Sequence, residues 1–310
     1  MDKRSQPPSH MEMASSQLHN QDYDKETEKT PQLPLRPTQT LFQKFWEAGR
    51  PAVAEFLGVA IFVAIGAGSN CQAFARSLRA GGVPGDVLST NLGWAIGLAL
   101  GVWTTAGISG GHVNPAITLA LATWRGFPWK KVPVYIFAQL LGGVVGTGLA
   151  YAQYIHIIDQ AEGGRQFRTL KTAGLFPTFP LDYMTAVSSF FSEFLGAAIL
   201  AFIIMATTDQ HNAAPPLHLL PIVIFLVLLG LGLAFGIQTS FSFNPARDFG
   251  PRLFLTMAGY GGKLYTTANH YWIWGGILAP IAGAQVAVGL YDLCLLKSTT
   301  VRLGARIPPR

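Results

Sequence analysis

Charge is scarce in this sequence. Only 12% of its 310 residues are Asp, Glu, Lys or Arg, while 50% are hydrophobic. A soluble domain carries about 25% charge, so a water-soluble globule is excluded and a membrane protein is expected. Cysteine is nearly absent. Cys71 and Cys294 fall near the ends of different apolar runs, which leaves no disulfide framework and no metal site. Residues 1–40 contain no apolar run, so no cleavable signal peptide is expected. Enzyme signatures are missing as well. There is no His-Glu-x-x-His and no nucleophile–base set that can be placed together, so the chain is not expected to be an enzyme, and no cofactor is implied. The net charge of +6 does not call for a nucleic-acid partner, because the distribution of basic residues reads as membrane topology instead.

What is present is apolar length. Six runs, about 51–73, 87–107, 132–155, 185–208, 217–239 and 271–293, are each long enough to span a bilayer. Residues 1–45 are rich in Gln, Ser, Thr, Pro and charge and are expected to form a disordered tail. A membrane domain over 46–295 and a second tail over 296–310 complete the division. The loop at about 156–184 carries Phe167, Phe176, Phe179 and Tyr183. It either shapes a vestibule or caps the bundle.

One short motif occurs twice, as Asn114-Pro115-Ala116 and Asn244-Pro245-Ala246. Asn is a strong N-cap, and Pro suits the first helical position, where its missing N–H has no partner to lose. About ten mostly apolar residues follow each motif, to Trp124 and to roughly Leu255. At ~1.5 Å per residue each helix covers about half of a ~30 Å hydrocarbon core. Two such half-helices, N-terminus to N-terminus, complete one span.

The halves, about 46–160 and 180–295, repeat one another. Ala54-Glu55-Phe56-Leu57-Gly58 matches Ser192-Glu193-Phe194-Leu195-Gly196, and Ala138-Gln139 resembles Ala284-Gln285. Each half holds three spans and one half-helix. Three is odd, so the second half is inverted, with the functional site at the midplane between them. The fold class expected is an all-α membrane protein, six transmembrane helices plus two re-entrant half-helices in an inverted repeat. Fourteen basic residues fall on the side of the two termini and six on the other, which places both termini in the cytoplasm. Gly93, Gly97 and Gly101 are read as helix-packing positions.

Non-helical backbone at membrane depth survives only where protein buries it or water meets it. Gly110-Gly111-His112 and Ser240-Phe241-Ser242 are expected to run extended toward the centre, with their carbonyls as a ladder of acceptors and His112 acting through its backbone. The amides of Asn114 and Asn244 would donate at the midpoint, where two positive helix ends meet. Such a path repels cations and accepts a neutral hydroxylated molecule. Arg247 lies inside the membrane, where its cost marks a pathway; its fork can donate to two adjacent hydroxyls or tie down loop carbonyls. Asp248 and Arg252 are four apart and can pair. Glu55 and Glu193 are expected against the re-entrant backbone, with a proton relay as the alternative.

The doubled Asn-Pro-Ala, the repeated Glu-Phe-Leu-Gly and the inverted halves together resemble the major intrinsic protein family, the aquaporins and glycerol channels, over about residues 45–295. That resemblance implies tetramers with one pore per subunit in the lipid bilayer. It also implies an outer constriction at Trp94, Gly232, Phe241 and Arg247, pore-lining carbonyls at Gly110, Gly111, His112, Ser240, Phe241 and Ser242, and structural support from Glu55, Glu193 and Asp248. A small Gly232 and two aromatics beside the Arg are similar to the glycerol-conducting branch. The implied function is passive passage of glycerol, small polyols, urea or hydrogen peroxide, and water, in a multi-pass protein of the plasma membrane. The alternatives are a water-selective aquaporin and an ion-coupled secondary transporter.

Overall fold

The computed structural model describes residues 40–79 and 86–297. The chain divides into two units, 1–44 and 45–310, and the architecture concerns the second. Of the expected tails, only residues 40–45 and 296–297 are among those described. All regular structure among the described residues is helical. It comprises α1 (Leu41–Ser77), α2 (Val87–Ser109), α3 (Pro115–Trp124), α4 (Val132–Glu162), the single turn α5 (Leu170–Ala173), α6 (Ala186–Thr208), α7 (Leu220–Thr239), α8 (Pro245–Met257), α9 (Lys263–Ile273) and α10 (Ala279–Cys294). Tight 3-10 turns lead into α4 and α7, and a π-helical turn, Trp274–Leu278, joins α9 to α10.

Six stretches are long and apolar enough to cross a bilayer: Leu41–Ser77, Val87–Ser109, Trp129–Glu162, Ala186–Thr208, Leu217–Thr239 and Lys263–Cys294. Each expected run falls on one of them. The third span continues seven residues past its apolar run, to Glu162. Nothing between His156 and Glu162 breaks a helix. The first breaker is Gly163, which ends the helix in a left-handed cap at φ 84°. Within the sixth stretch, Ala268, Asn269 and His270 take left-handed angles (φ 47°, 53° and 64°) and kink α9 just ahead of Tyr271, where the sixth apolar run is expected to begin. Both half-helices are present, with 10 residues in α3 and 13 in α8.

The packing carries the inversion. Half-helix α3 lies against α10, a span of the other half, while half-helix α8 lies against α4, a span of the first. The far end of α3 is fixed there: Trp124 Nε1 donates to Gln285 Oε1 at 2.8 Å, and the Arg125 guanidinium forks onto the Asp292 carboxylate. Helices α2 and α7 face each other across the middle. Gly97 and Gly101 do pack a neighbour closely; a methyl group at Gly101 would lie 2.5 Å from the Gly58 carbonyl oxygen.

One sequence match is not a structural one. A methyl at Gly142 would lie 2.4 Å from the Phe56 carbonyl oxygen, and one at Gly283 2.2 Å from that of Phe194. Phe56 and Phe194 are the repeated phenylalanines, so Gly142 corresponds to Gly283 and Gln139 to Pro280. Ala284-Gln285 is therefore not the counterpart of Ala138-Gln139. The resemblance came from two residues of common type, displaced by five positions along the helix.

Replacing Gly142 with Ala should lower the unfolding midpoint in detergent, since the methyl meets backbone that cannot move aside; overpacking of this kind costs about 1–3 kcal/mol. Gly49→Ala, inside α1 with nothing within 4 Å, should leave the midpoint in place or raise it, because Ala is the better helix former. Equal midpoints would contradict the close approach.

Candidate functional site

The half-helix starts meet reciprocally. Asn114 and Asn244 sit in extended backbone (φ −157° and −153°), and each Oδ1 caps its own helix, at 2.8 Å from Ala116 N and 2.9 Å from Ala246 N. Each Nδ2 reaches into the other half. Asn114 donates to the Phe243 carbonyl at 2.9 Å and Asn244 to the Val113 carbonyl at 2.8 Å. An amide nitrogen carries two hydrogens, so one on each Asn is spent on this cross-bond and one is left.

The approach segments differ from the expected extended form. Gly110, Gly111 and Val113 have φ of 93°, 64° and 52°; Ser240, Phe241 and Phe243 have 62°, 43° and 47°. Left-handed backbone is unusual for a β-branched or aromatic residue and persists only where surroundings impose it. Here two fully buried carboxylates do so. Glu55 accepts from His112 N at 3.0 Å, Val113 N at 2.7 Å, Ser109 Oγ at 2.5 Å and Gln139 Nε2 at 2.7 Å. Glu193 accepts from Ser242 N at 3.0 Å, Phe243 N at 2.9 Å and the Tyr271 hydroxyl at 3.0 Å. With the N–H groups gathered on one side, the carbonyls face the other. Among the described residues those of Gly110, Gly111, His112, Phe241 and Ser242 accept nothing from the protein, while Ser240 accepts from Arg247 Nη2 at 3.4 Å. The His112 imidazole is engaged too. Its Nδ1 lies 3.1 Å from Thr118 Oγ1, and its ring packs on Phe127 and Tyr135.

Trp94, Gly232, Phe241 and Arg247 come together on the other side of the cross-bond, lining one cavity of about 390 Å³. Arg247 is 1% exposed. Its Nη1 donates to the Phe176 carbonyl at 2.6 Å, and its guanidinium lies face-on to the Trp94 ring, 3.8 Å from the centroid. Phe241 meets Trp94 edge-on at 6.2 Å. Burying the cation costs about 2.5–3.5 kcal/mol. Charge-assisted bonds of about 1.5–3 kcal/mol each and a desolvated cation–π contact of about 2 kcal/mol offset that cost. Two of the five guanidinium donors are spent on loop carbonyls, so the expected tie-down role and a free donor edge coexist. The Arg252 guanidinium is spent differently. It holds Asp248 at 2.8 Å, Thr178 O at 2.5 Å and Leu264 O, and Asp248 in turn accepts from Thr178 N at 2.7 Å. This buried pair fastens the long loop to α8.

Sequence reasoning missed four participants. Asn70 accepts from Trp94 Nε1 at 3.1 Å and donates to Leu175 O at 3.0 Å, fixing the indole plane. Asn91 lies beside Gly232. Leu175 and Phe176 act through carbonyls, on a loop that therefore shapes the cavity, while its Phe167 and Tyr183 are exposed. Lone amides within apolar spans were the available signal for Asn70 and Asn91; backbone acceptors leave none.

The family model for the major intrinsic protein matches residues 43–291. The chain belongs to the major intrinsic protein family. It is 51% identical over 284 residues to aquaporin-6 of Laccaria bicolor, covering 89% of this chain and 91% of that protein. The aquaglycerol porin AQY3 of Saccharomyces cerevisiae is 41% identical over 256 residues, covering 81% of this chain and 39% of that longer protein. Among solved structures, the aquaglyceroporin from Plasmodium falciparum matches with a TM-score of 0.69 and 31% identity, over 79% of this chain and 96% of that one. The chain is thus a multi-pass integral membrane protein and a passive channel for water or small solutes.

Removing the carboxylate of Glu55 (Glu55→Ala) leaves the N–H groups of His112 and Val113 with no partner and takes one of two bonds from Gln139 Nε2, at about 1–3 kcal/mol for each donor left unsatisfied. Its thermal midpoint in detergent should fall far below that of Glu47→Ala, which loses only an exposed pair with Arg50. Matching midpoints would show that the carboxylate does not hold the re-entrant backbone.

Proposed function

We propose that this channel conducts glycerol and related small polyols together with water, and that urea and hydrogen peroxide fall within its size range. The observation that carries this is the two-sided constriction. Arg247 presents donors at one edge, Trp94 and Phe241 form an apolar corner beside it, and Gly232 adds no side chain of its own to the remaining wall. Glycerol has a hydroxyl edge and a carbon–hydrogen edge, and each finds its counterpart. The free carbonyls of Gly110, Gly111, His112, Phe241 and Ser242 then replace water's hydrogen bonds along the path. The spare N–H of Asn114 and of Asn244 serves the midpoint, under two positive helix ends that repel cations. Two of the relatives are named for glycerol conduction, which supports the same choice.

The basic residues favour cytoplasmic termini, so α3 enters from the cytoplasm and α8 from outside, and the Arg247 constriction faces outward. We place the channel in the plasma membrane as a homotetramer, with one pore in each subunit.

Gly232→His should cut the glycerol-to-water permeability ratio in proteoliposomes by about tenfold or more, since a close-fitting pocket discriminates strongly against added bulk. Phe241→Ala, which opens the apolar corner, should change that ratio in the same assay. Ratios equal to wild type in both variants would remove these residues from the filter.

A further inference from the structure

The cavity beside Arg247 contains one polar side chain with no assigned task. Asn91 lies three residues before Trp94 on α2, so the two share a helix face, and both line the cavity. It is 3% exposed. Its amide occupies the space that two glycines open on α7. A methyl group on Gly232 would lie 3.1 Å from Asn91 Oδ1, and one on Gly236 would lie 3.8 Å from it. Yet Asn91 Nδ2 is buried with no hydrogen-bond partner, and no bond to the rest of the protein involves this side chain among the described residues. Neighbouring Asn70 contrasts with it, since both ends of its amide are engaged.

An orphaned amide in an apolar span is costly, and buried polar groups without partners are rare enough to need a cause. A Leu would fill the same groove without that cost. Arg247 Nε, in the same cavity, is the other buried donor there without a partner. A polyol that shifts these two side chains apart as it passes brings hydroxyl oxygens that can accept from both.

We propose that Asn91 is a further specificity-determining residue of the constriction, donating its amide N–H to a hydroxyl of the passing polyol while Arg247 serves the adjacent one. The inference rests on the glycerol-channel reading and extends it to a residue outside the four expected filter positions. It also gives Gly232 and Gly236 a second role. They add no side chain of their own, and they make the space in which an amide from α2 stands.

Asn91→Ala separates this role from one of width alone. Truncation enlarges the constriction, so a spacer role predicts a higher glycerol-to-water permeability ratio. A donor role predicts a lower ratio, by about fivefold, the weight of one net hydrogen bond. Asn91→Ser, close to Ala in volume but with a hydroxyl, should recover part of the loss. Permeabilities are measured by stopped-flow light scattering on proteoliposomes and normalised to protein that elutes as an assembled species. A ratio that stays level or rises in Asn91→Ala, or an Asn91→Ser ratio equal to that of Asn91→Ala, overturns the proposal. Wild-type vesicles that exclude glycerol overturn the channel reading and this inference with it. Wild-type vesicles that admit glycerol, with an unchanged variant ratio, overturn the role of Asn91 alone.

Discussion

Backbone that leaves helical form at the middle of a membrane needs partners for its N–H groups, and this structure gives four of them to two carboxylates. Glu55 and Glu193 draw the amide groups of His112, Val113, Ser242 and Phe243 to one side. That pull holds Val113 and Phe243 in left-handed conformations they would not choose. It turns the carbonyls of the same segments away from the carboxylates, where those of Gly110, Gly111, His112, Phe241 and Ser242 accept nothing from the protein among the described residues. It also presents the Val113 and Phe243 carbonyls to the opposing asparagines. The half-helix starts, the acceptor ladder and the midpoint amides all follow from where those two side chains stand.

The inverted repeat supplies the frame, and departures from symmetry supply the chemistry. Three residues past its asparagine, α3 has the buried Ile117 where α8 has Arg247, so only the second half carries a cation at this position. Four residues past, Thr118 stands opposite Asp248. Thr118 bonds to Gln139 within the Glu55 network, whereas Asp248 pairs with Arg252 and pins the long loop. Pro280 replaces Gln139 in the second half, and Tyr271 takes over as the extra donor to Glu193. The π-helical turn at Trp274–Leu278 lies between Tyr271 and Pro280.

Much of the architecture was legible because membrane spans and helix caps are local signals. Asn114-Pro115 and Asn244-Pro245 announce their helices by side-chain chemistry alone, and apolar length marked all six spans. Helix ends were less legible, since α4 continues until Gly163 whatever the polarity of residues 156–162. The backbone before each motif could not be read correctly, because no local preference puts Val113, Phe241 or Phe243 in the left-handed region; distant carboxylates impose it. The match of Gln285 to Gln139 failed because two common residues align by type, while only Gly142 and Gly283 report the packing register. The carbonyl acceptors at the cavity, on Leu175 and Phe176, lie 105 and 71 residues from the side chains they hold, a separation that no sequence pattern bridges.

The most direct measurement is stopped-flow light scattering on wild-type proteoliposomes, with imposed glycerol gradients across a wide concentration range. The same gradients are repeated with sodium and proton gradients of either direction. A passive pore with a two-sided constriction predicts fast glycerol entry that rises linearly with concentration and ignores the ions. Entry that saturates at low concentration, reverses with an ion gradient, or is no faster than in empty liposomes would contradict it.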